Sequence, residues 1–235
     1  MAGGCGFDYV AILAALCVSA PQVALCQMPE SAVLTAATGT GVTKIPPVKQ
    51  SAESEIAETN MIGYGSYKIF GAAERCNLWA AGVEYDRHIW GYFLKARMDY
   101  VAEFLPVVVL KQPVATDIWG NSKSEEQQLV YGVGLTPIGL RMLWRSNKAV
   151  RPFMVAKVGT VIFSRKVLST EGSAANLAFQ GDFGLQVKLT QRIDLRVAPF
   201  EYFHFSNGYL ATSNPGVDVI SAKFGISYQL GGKGR

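Results

Sequence analysis

Near the C-terminal end of the chain, His204, Ser206 and Asp218 fall within a short stretch that also holds Asn207 and Gly208. A serine hydroxyl is a weak nucleophile until a base takes its proton. An imidazole can do that, and a carboxylate can orient the ring and stabilise the imidazolium that forms. Asn207 and the backbone N–H of Gly208 are the expected donors to an oxyanion. The chemistry this set could perform is acyl transfer. Residues 204 and 206 are two apart, so on a strand they share a side. Asp218 opens the next antiparallel strand and can lie across from them. By itself the pattern is weak, because a His-x-Ser near a loop is usually incidental. Asn-Gly and Asn-Pro-Gly are also ordinary turn formers.

From about residue 61 to 230 the hydrophobic period is two. Leu177, Phe179, Phe183, Leu185, Val187 and Leu189 fall on one phase, with Asn176, Gln180, Asp182, Gln186 and Lys188 on the other. The same alternation runs through Ile220–Leu230 and Leu94–Phe104. It predicts eight strands, roughly 62–74, 77–90, 93–110, 129–145, 150–166, 174–190, 192–207 and 216–230. The turns after strands two, four and six are tight, and the loops after three, five and seven are longer and polar. The first connection, near Cys76-Asn77, reads as short and breaks this rule. Hydrophobic residues make up 49% and charged residues 17%, yet beyond residue 26 no run approaches the ~20 apolar residues of a membrane helix. The expectation is an all-β fold, an eight-stranded antiparallel transmembrane β-barrel of the outer-membrane type, with both termini in the periplasm. A soluble lipocalin-like barrel would show the same alternation with its apolar phase inward. Long strands, and polar phases that mix Asp99, Glu103, Asp182 and Asp194 with Arg97, Arg141, Lys157 and Arg196, favour the membrane form. Eight strands leave room only for side chains, so no general pore is expected.

A conflict of phase stands in the way of the candidate triad. Continued without a break, the polar phase of Arg192, Asp194 and Arg196 includes His204 and Ser206 and turns them into the lumen. Asp218 falls on the apolar, outward phase of the last strand. A strand proline marks an edge or a bulge, and a barrel has no edge. A one-residue bulge near Pro199 would exchange the phases and turn Phe200, Tyr202, His204 and Ser206 outward with Asp218. Phe203, Phe205 and Tyr209 are expected to flank the site at interface depth, where aromatic residues are favoured.

The stretch His204-Phe205-Ser206-Asn207-Gly208, with an acid twelve residues beyond the serine, resembles the signature of the lipid A 3-O-deacylase family. The resemblance is sharp over about 200–220 and otherwise rests on strand number and length. It implies His204 as general base, Ser206 as nucleophile and Asn207 as oxyanion donor. The family's orienting acid is usually a glutamate. The matching position here holds Asp218, one methylene shorter. The resemblance further implies a carboxylic ester hydrolase that acts on lipid A of lipopolysaccharide in the outer leaflet of a Gram-negative-type cell outer membrane. No metal and no cofactor are expected, and a homodimer is left open. The competing reading is a non-catalytic small barrel with a structural or adhesive role, its functional part the loop Thr116 to Gln128.

Residues 1–26 read as a signal peptide, with an apolar stretch from Tyr9 to Ala20 and small residues around a cleavage point before Gln27. The segment before Tyr9 departs from the usual pattern, since it holds Asp8 and no Lys or Arg. Residues 27–60, rich in Ala, Thr, Ser, Glu and Pro, read as a disordered leader. The barrel is expected over 61–231 and a tail over 232–235. Three of the four cysteines leave with the signal, and Cys76 then stands as a small apolar filler. His88 reads as a lumen or interface residue near the periplasmic end. The net charge of +4 comes with no basic, aromatic-interleaved cluster, so nucleic acid is not an expected partner.

Overall fold

The computed structural model describes residues 53–231. Eight strands close into an antiparallel barrel in sequence order: β1 (Ser54–Tyr67), β2 (Asn77–Phe93), β3 (Ala96–Pro113), β4 (Gln127–Trp144), β5 (Val150–Phe163), β6 (Ala175–Lys188), β7 (Ile193–Ser206) and β8 (Val217–Leu230). Strand β1 begins earlier than the alternation suggested, inside the segment read as leader, and ends at Tyr67 rather than at residue 74. Residues 68–76 therefore form a loop. With this correction, the connections after β1, β3, β5 and β7 are all longer than those after β2, β4 and β6. The expected signal peptide, most of the leader and the tail lie outside the described residues.

The phases settle which way the barrel is turned inside out. Ile62, Phe104, Leu135, Val158, Phe179 and Phe224 stand exposed on the outer wall. Glu55, Glu84, Asp86, Asp99, Glu103, Arg141, Lys157, Arg196 and Lys223 are buried within. An apolar exterior over a polar interior is the membrane arrangement, not the lipocalin one. Buried charges survive only when paired, and these are. Arg141 reaches Asp99 at 2.7 Å and Asp86 at 3.0 Å. Lys157 bridges Glu84 at 2.8 Å and Glu103 at 2.7 Å. Arg196 holds Glu55 and Glu84, both at 2.7 Å. His88 closes one end of this network, with Nδ1 at 3.1 Å from Asp99 Oδ1. Toward the long-loop end the lumen changes character. There Phe163, Phe203, Phe205, Leu110, Val130, Val217 and Val219 form an apolar plug. The first loop packs Cys76 into it, and burial pushes its thiol up to about 12.

Three prolines mark where strands exchange their phases. The pairing shifts at Leu105/Val108, Leu135/Ile138 and Ala198/Glu201, around Pro106, Pro137 and Pro199. A proline has no N–H to lose from the ladder. The carbonyl oxygens at two of these sites accept from tyrosines on the outer wall: Tyr64 donates to Pro199 at 3.3 Å, and Tyr100 donates to Pro137. On a lipid-facing wall no water is present to take that role.

Removing one partner of a buried charge network leaves the others unpaired. Arg141→Met should therefore lower the stability of the folded barrel by about 3–5 kcal/mol, read as a lower midpoint of urea unfolding in lipid vesicles.

Candidate active site

The bulge expected near Pro199 is present. Below it Asp194, Arg196 and Ala198 point inward, and above it Glu201, Phe203 and Phe205 do. Phe200, Tyr202, His204 and Ser206 consequently face out. The same reversal corrects one expectation. Phe203 and Phe205 are fully buried in the lumen plug and do not flank the site, because residues adjacent to outward-facing ones must point the other way. Tyr209, at the loop, is exposed.

His204 and Asp218 are direct cross-strand partners between β7 and β8. Their side chains meet with Nδ1 at 2.6 Å from Asp218 Oδ1. This short span answers the question of reach: a carboxylate directly opposite the histidine needs no extra methylene. An ionised carboxylate only accepts. Nδ1 is therefore the donor in this bond, which in the neutral ring makes Nε2 the acceptor.

Asp218 is fully buried although it faces the outer wall. What covers it is the first loop. The backbone N–H groups of Ile69, Phe70 and Gly71 donate to Oδ2 at 2.8, 2.7 and 2.7 Å. Tyr202 donates its hydroxyl to Oδ1 at 2.6 Å. The loop is pinned in place by Ala72 N–H to Pro215 O at 2.6 Å and Ala73 N–H to Gly216 O at 3.0 Å. It can lie this close because Gly71 has no side chain: a β-carbon there would sit 2.8 Å from the backbone of Gly216 and Val217. None of this was legible in the sequence, where residues 68–74 read as the end of a strand.

Ser206 is partly exposed beside the histidine. Among the described residues no hydrogen bond joins the two. They approach each other over Gly216, where a β-carbon would lie 3.3 Å from His204 Cε1 and 3.5 Å from Ser206 Cβ. Bonds between nucleophile and base are commonly loose without substrate and tighten with it. Asn207, the expected oxyanion donor, follows Ser206 directly. Its side chain is buried and ties down the β7–β8 loop, donating from Nδ2 to Ser213 O and accepting from Tyr209 N–H at 3.0 Å. Gly208 follows with φ +61, a conformation open to glycine, and a β-carbon there would meet Leu177 at 2.8 Å.

The row of register partners that begins with the pair continues around the wall. Asp218, His204, Phe179, Val158 and Ile138 oppose one another in turn across β8, β7, β6, β5 and β4. Asp218 lies one residue from the outer end of β8, and Ile138 eleven from that of β4, so the row descends the wall. From His204 to Ile138 it crosses roughly 14 Å at the usual strand spacing. Alongside it, Tyr202, Gly181, Ala156 and Leu140 oppose one another in a second row. Ala156 also lines an open hollow of about 490 Å³ on the outer wall, with Phe179, Val158, Ile138, Leu140 and Trp90.

The profile of the lipid A 3-O-deacylase (PagL) family matches residues 81–227, more than half of the chain. The chain belongs to the lipid A 3-O-deacylase family. The matched range holds His204, Ser206, Asn207, Gly208 and Asp218 but stops short of the first loop. Among solved structures, the outer membrane enzyme PagL superposes with a TM-score of 0.52 at 13% identity, over 72% of this chain and 97% of that one. Neisserial surface protein A (NspA) gives 0.40 at 12%, over 76% and 96%. OprG from Pseudomonas aeruginosa gives 0.45 at 13%, over 77% and 97%. At these identities the likeness is one of fold, that of an outer-membrane barrel. Comparison with curated protein sequences finds no match.

If Asp218 anchors the first loop of this lipid A 3-O-deacylase family member, removing its carboxylate should free the three amides. In Asp218→Ala, hydrogen exchange over residues 68–76 should accelerate roughly 10–100-fold, since hydrogen bonds to a charged group are worth about 1.5–3 kcal/mol. Exchange within β2 should be unchanged, and both are read by mass spectrometry.

Proposed function

We propose that the chain is a serine esterase of the outer membrane that removes an ester-linked acyl chain from lipid A, as a lipid A 3-O-deacylase. The observation that carries this is the position of the His204–Asp218 pair. It lies on the outer wall, near the outer ends of β7 and β8, with Ser206 beside it. A site there meets an ester at the headgroup boundary of the outer leaflet without drawing the lipid out of the membrane.

In this mechanism Ser206 Oγ attacks the ester carbonyl while His204 Nε2 takes its proton. Asp218 holds the ring and its charge. The tetrahedral oxyanion is met by the donors at Asn207 and Gly208. Collapse breaks the bond to the sugar oxygen, which leaves with the proton from His204. Water, activated by the same histidine, then hydrolyses the acyl-enzyme and releases the fatty acid. The acyl chain runs down the wall from His204 along Phe179 and Val158, into the hollow over Ala156. Export depends on the signal peptide of residues 1–26.

Ser206→Ala and His204→Ala should each abolish deacylation while the barrel still folds. Lipid A mass spectrometry of cells producing each form checks this: one hydroxyacyl mass is lost only with the unmodified protein. Full activity in the serine variant would end the mechanism. Ala156→Trp should fill the hollow. Turnover of long-chain esters should fall about tenfold relative to short-chain ones, as expected for a few blocked methylenes, in a chain-length series of detergent-dispersed substrates.

A further inference from the structure

Asp218 accepts from five donors among the described residues, and only one of them belongs to the triad. On Oδ1, Tyr202 and His204 share the oxygen, each at 2.6 Å. On Oδ2, three consecutive backbone N–H groups converge, the concave arrangement that binds anions in nests of main chain. The aromatic rings are assembled to match. Tyr202 lies nearly parallel to the His204 ring at 6.4 Å, and Phe70 stands edge-on to both. Phe70 also carries one of the three N–H groups, so the loop grips the acid with its backbone and the ring pair with its side chain.

We propose that Tyr202 and the 69–71 segment of the first loop are positioning elements of the active site, which hold Asp218 in the one orientation that serves His204 and draw off part of its charge. This rests on the deacylase reading for its kinetic consequence but not for its geometry. A short carboxylate on a strand can rotate about two bonds. With Oδ2 locked by three amides, only Oδ1 is left to face the histidine, and the Tyr202 hydroxyl fixes where along the ring edge it lies. A hydroxyl that donates to Oδ1 also competes with the imidazole for the same negative charge. It thereby limits how strongly the acid stabilises imidazolium and keeps the ring ready to release its proton to the leaving oxygen. Tyr202 and Phe70 flank the His204 ring, and their hydrogen bonds reach it through Asp218.

The minimal test removes one oxygen atom. Tyr202→Phe keeps the ring, its stacking on His204 and its packing on Phe179. The chain has two histidines, so histidine-selective 15N labelling of the full barrel refolded in detergent micelles gives two ring systems, and His88→Gln assigns them. In Tyr202→Phe, the Nδ1–H resonance of His204 should move downfield, because the carboxylate gives the ring a stronger bond, while that of His88 stays fixed. Against dispersed lipid A, kcat should fall roughly tenfold with KM unchanged. The acid limb of the kcat/KM profile should move to higher pH, because the cationic ring persists further. A merely structural role would lower activity evenly at every pH. Gly71→Ala, which forces the nest off the acid, should instead weaken or abolish the Nδ1–H resonance. An unmoved resonance in Tyr202→Phe together with an unshifted pH profile would overturn the proposal. Absence of deacylation by the unmodified protein would end the esterase reading, and the resonance would still report on the clamp.

Discussion

A β-strand can change the side on which its residues point only by gaining or losing one residue of register. The whole outer site hangs on one such event, at Pro199. Below it β7 contributes Arg196 to the ionic lumen, and above it the strand contributes His204 and Ser206 to the lipid-facing wall. Without the inserted residue, histidine and serine would sit inside the barrel with the aspartate outside. The insertion exposes main-chain polar groups where no water can reach them. The barrel answers with a tyrosine from β1, whose hydroxyl bonds the Pro199 carbonyl. The bulge is thus held by a side chain two strands away, and its phase is fixed by the closed sheet around it.

The interior supports this arrangement with ion pairs and a packed plug. Bidentate and bridging pairs cross the lumen between strands far apart in sequence, such as Lys223 with Glu84 and Glu103 at 3.0 and 2.9 Å. Above them the aromatic plug of Phe163, Phe203 and Phe205 fills the end that lies behind the site. Hydrophobic contact and paired charge here do the same mechanical job by different means. They keep eight strands in register so that partners two residues wide on the outer wall stay opposed.

The strand pattern beyond β1, the bulge and the facing of His204 and Asp218 were legible in the sequence from a period of two and one proline, whereas the barrel's orientation was favoured only by the long strands and the mixed charges of the polar phase. Pro106 and Pro137 carried the same signal and mark the same kind of reversal. Other features were hidden for physical reasons. The first loop reads as strand because Ile69 and Phe70 are apolar, and nothing local shows that backbone amides will be spent on a carboxylate about 150 residues away. Phe203 and Phe205 were placed on the wrong wall although the bulge that turned them inward was itself expected. With Phe200, Tyr202, His204 and Ser206 outward, the residues between them can only point inward. That Asn207 would also tie down the β7–β8 loop, through the Ser213 carbonyl, has no local signal in the sequence.

On the deacylase reading proposed above, a site on the outside of a sealed cylinder has a kinetic consequence of its own. Whatever it acts on arrives sideways, by diffusion within the leaflet, and what limits encounter is the fraction of neighbouring lipids that carry the right group. Bulk concentration then loses its meaning as a variable. Diluting the substrate among other lipids slows the reaction, and diluting the whole membrane in buffer does not. Under the esterase proposal, crowding of the surface, lipid packing and the rotation of the barrel about its own axis become the terms that set how often His204 and Ser206 face an ester.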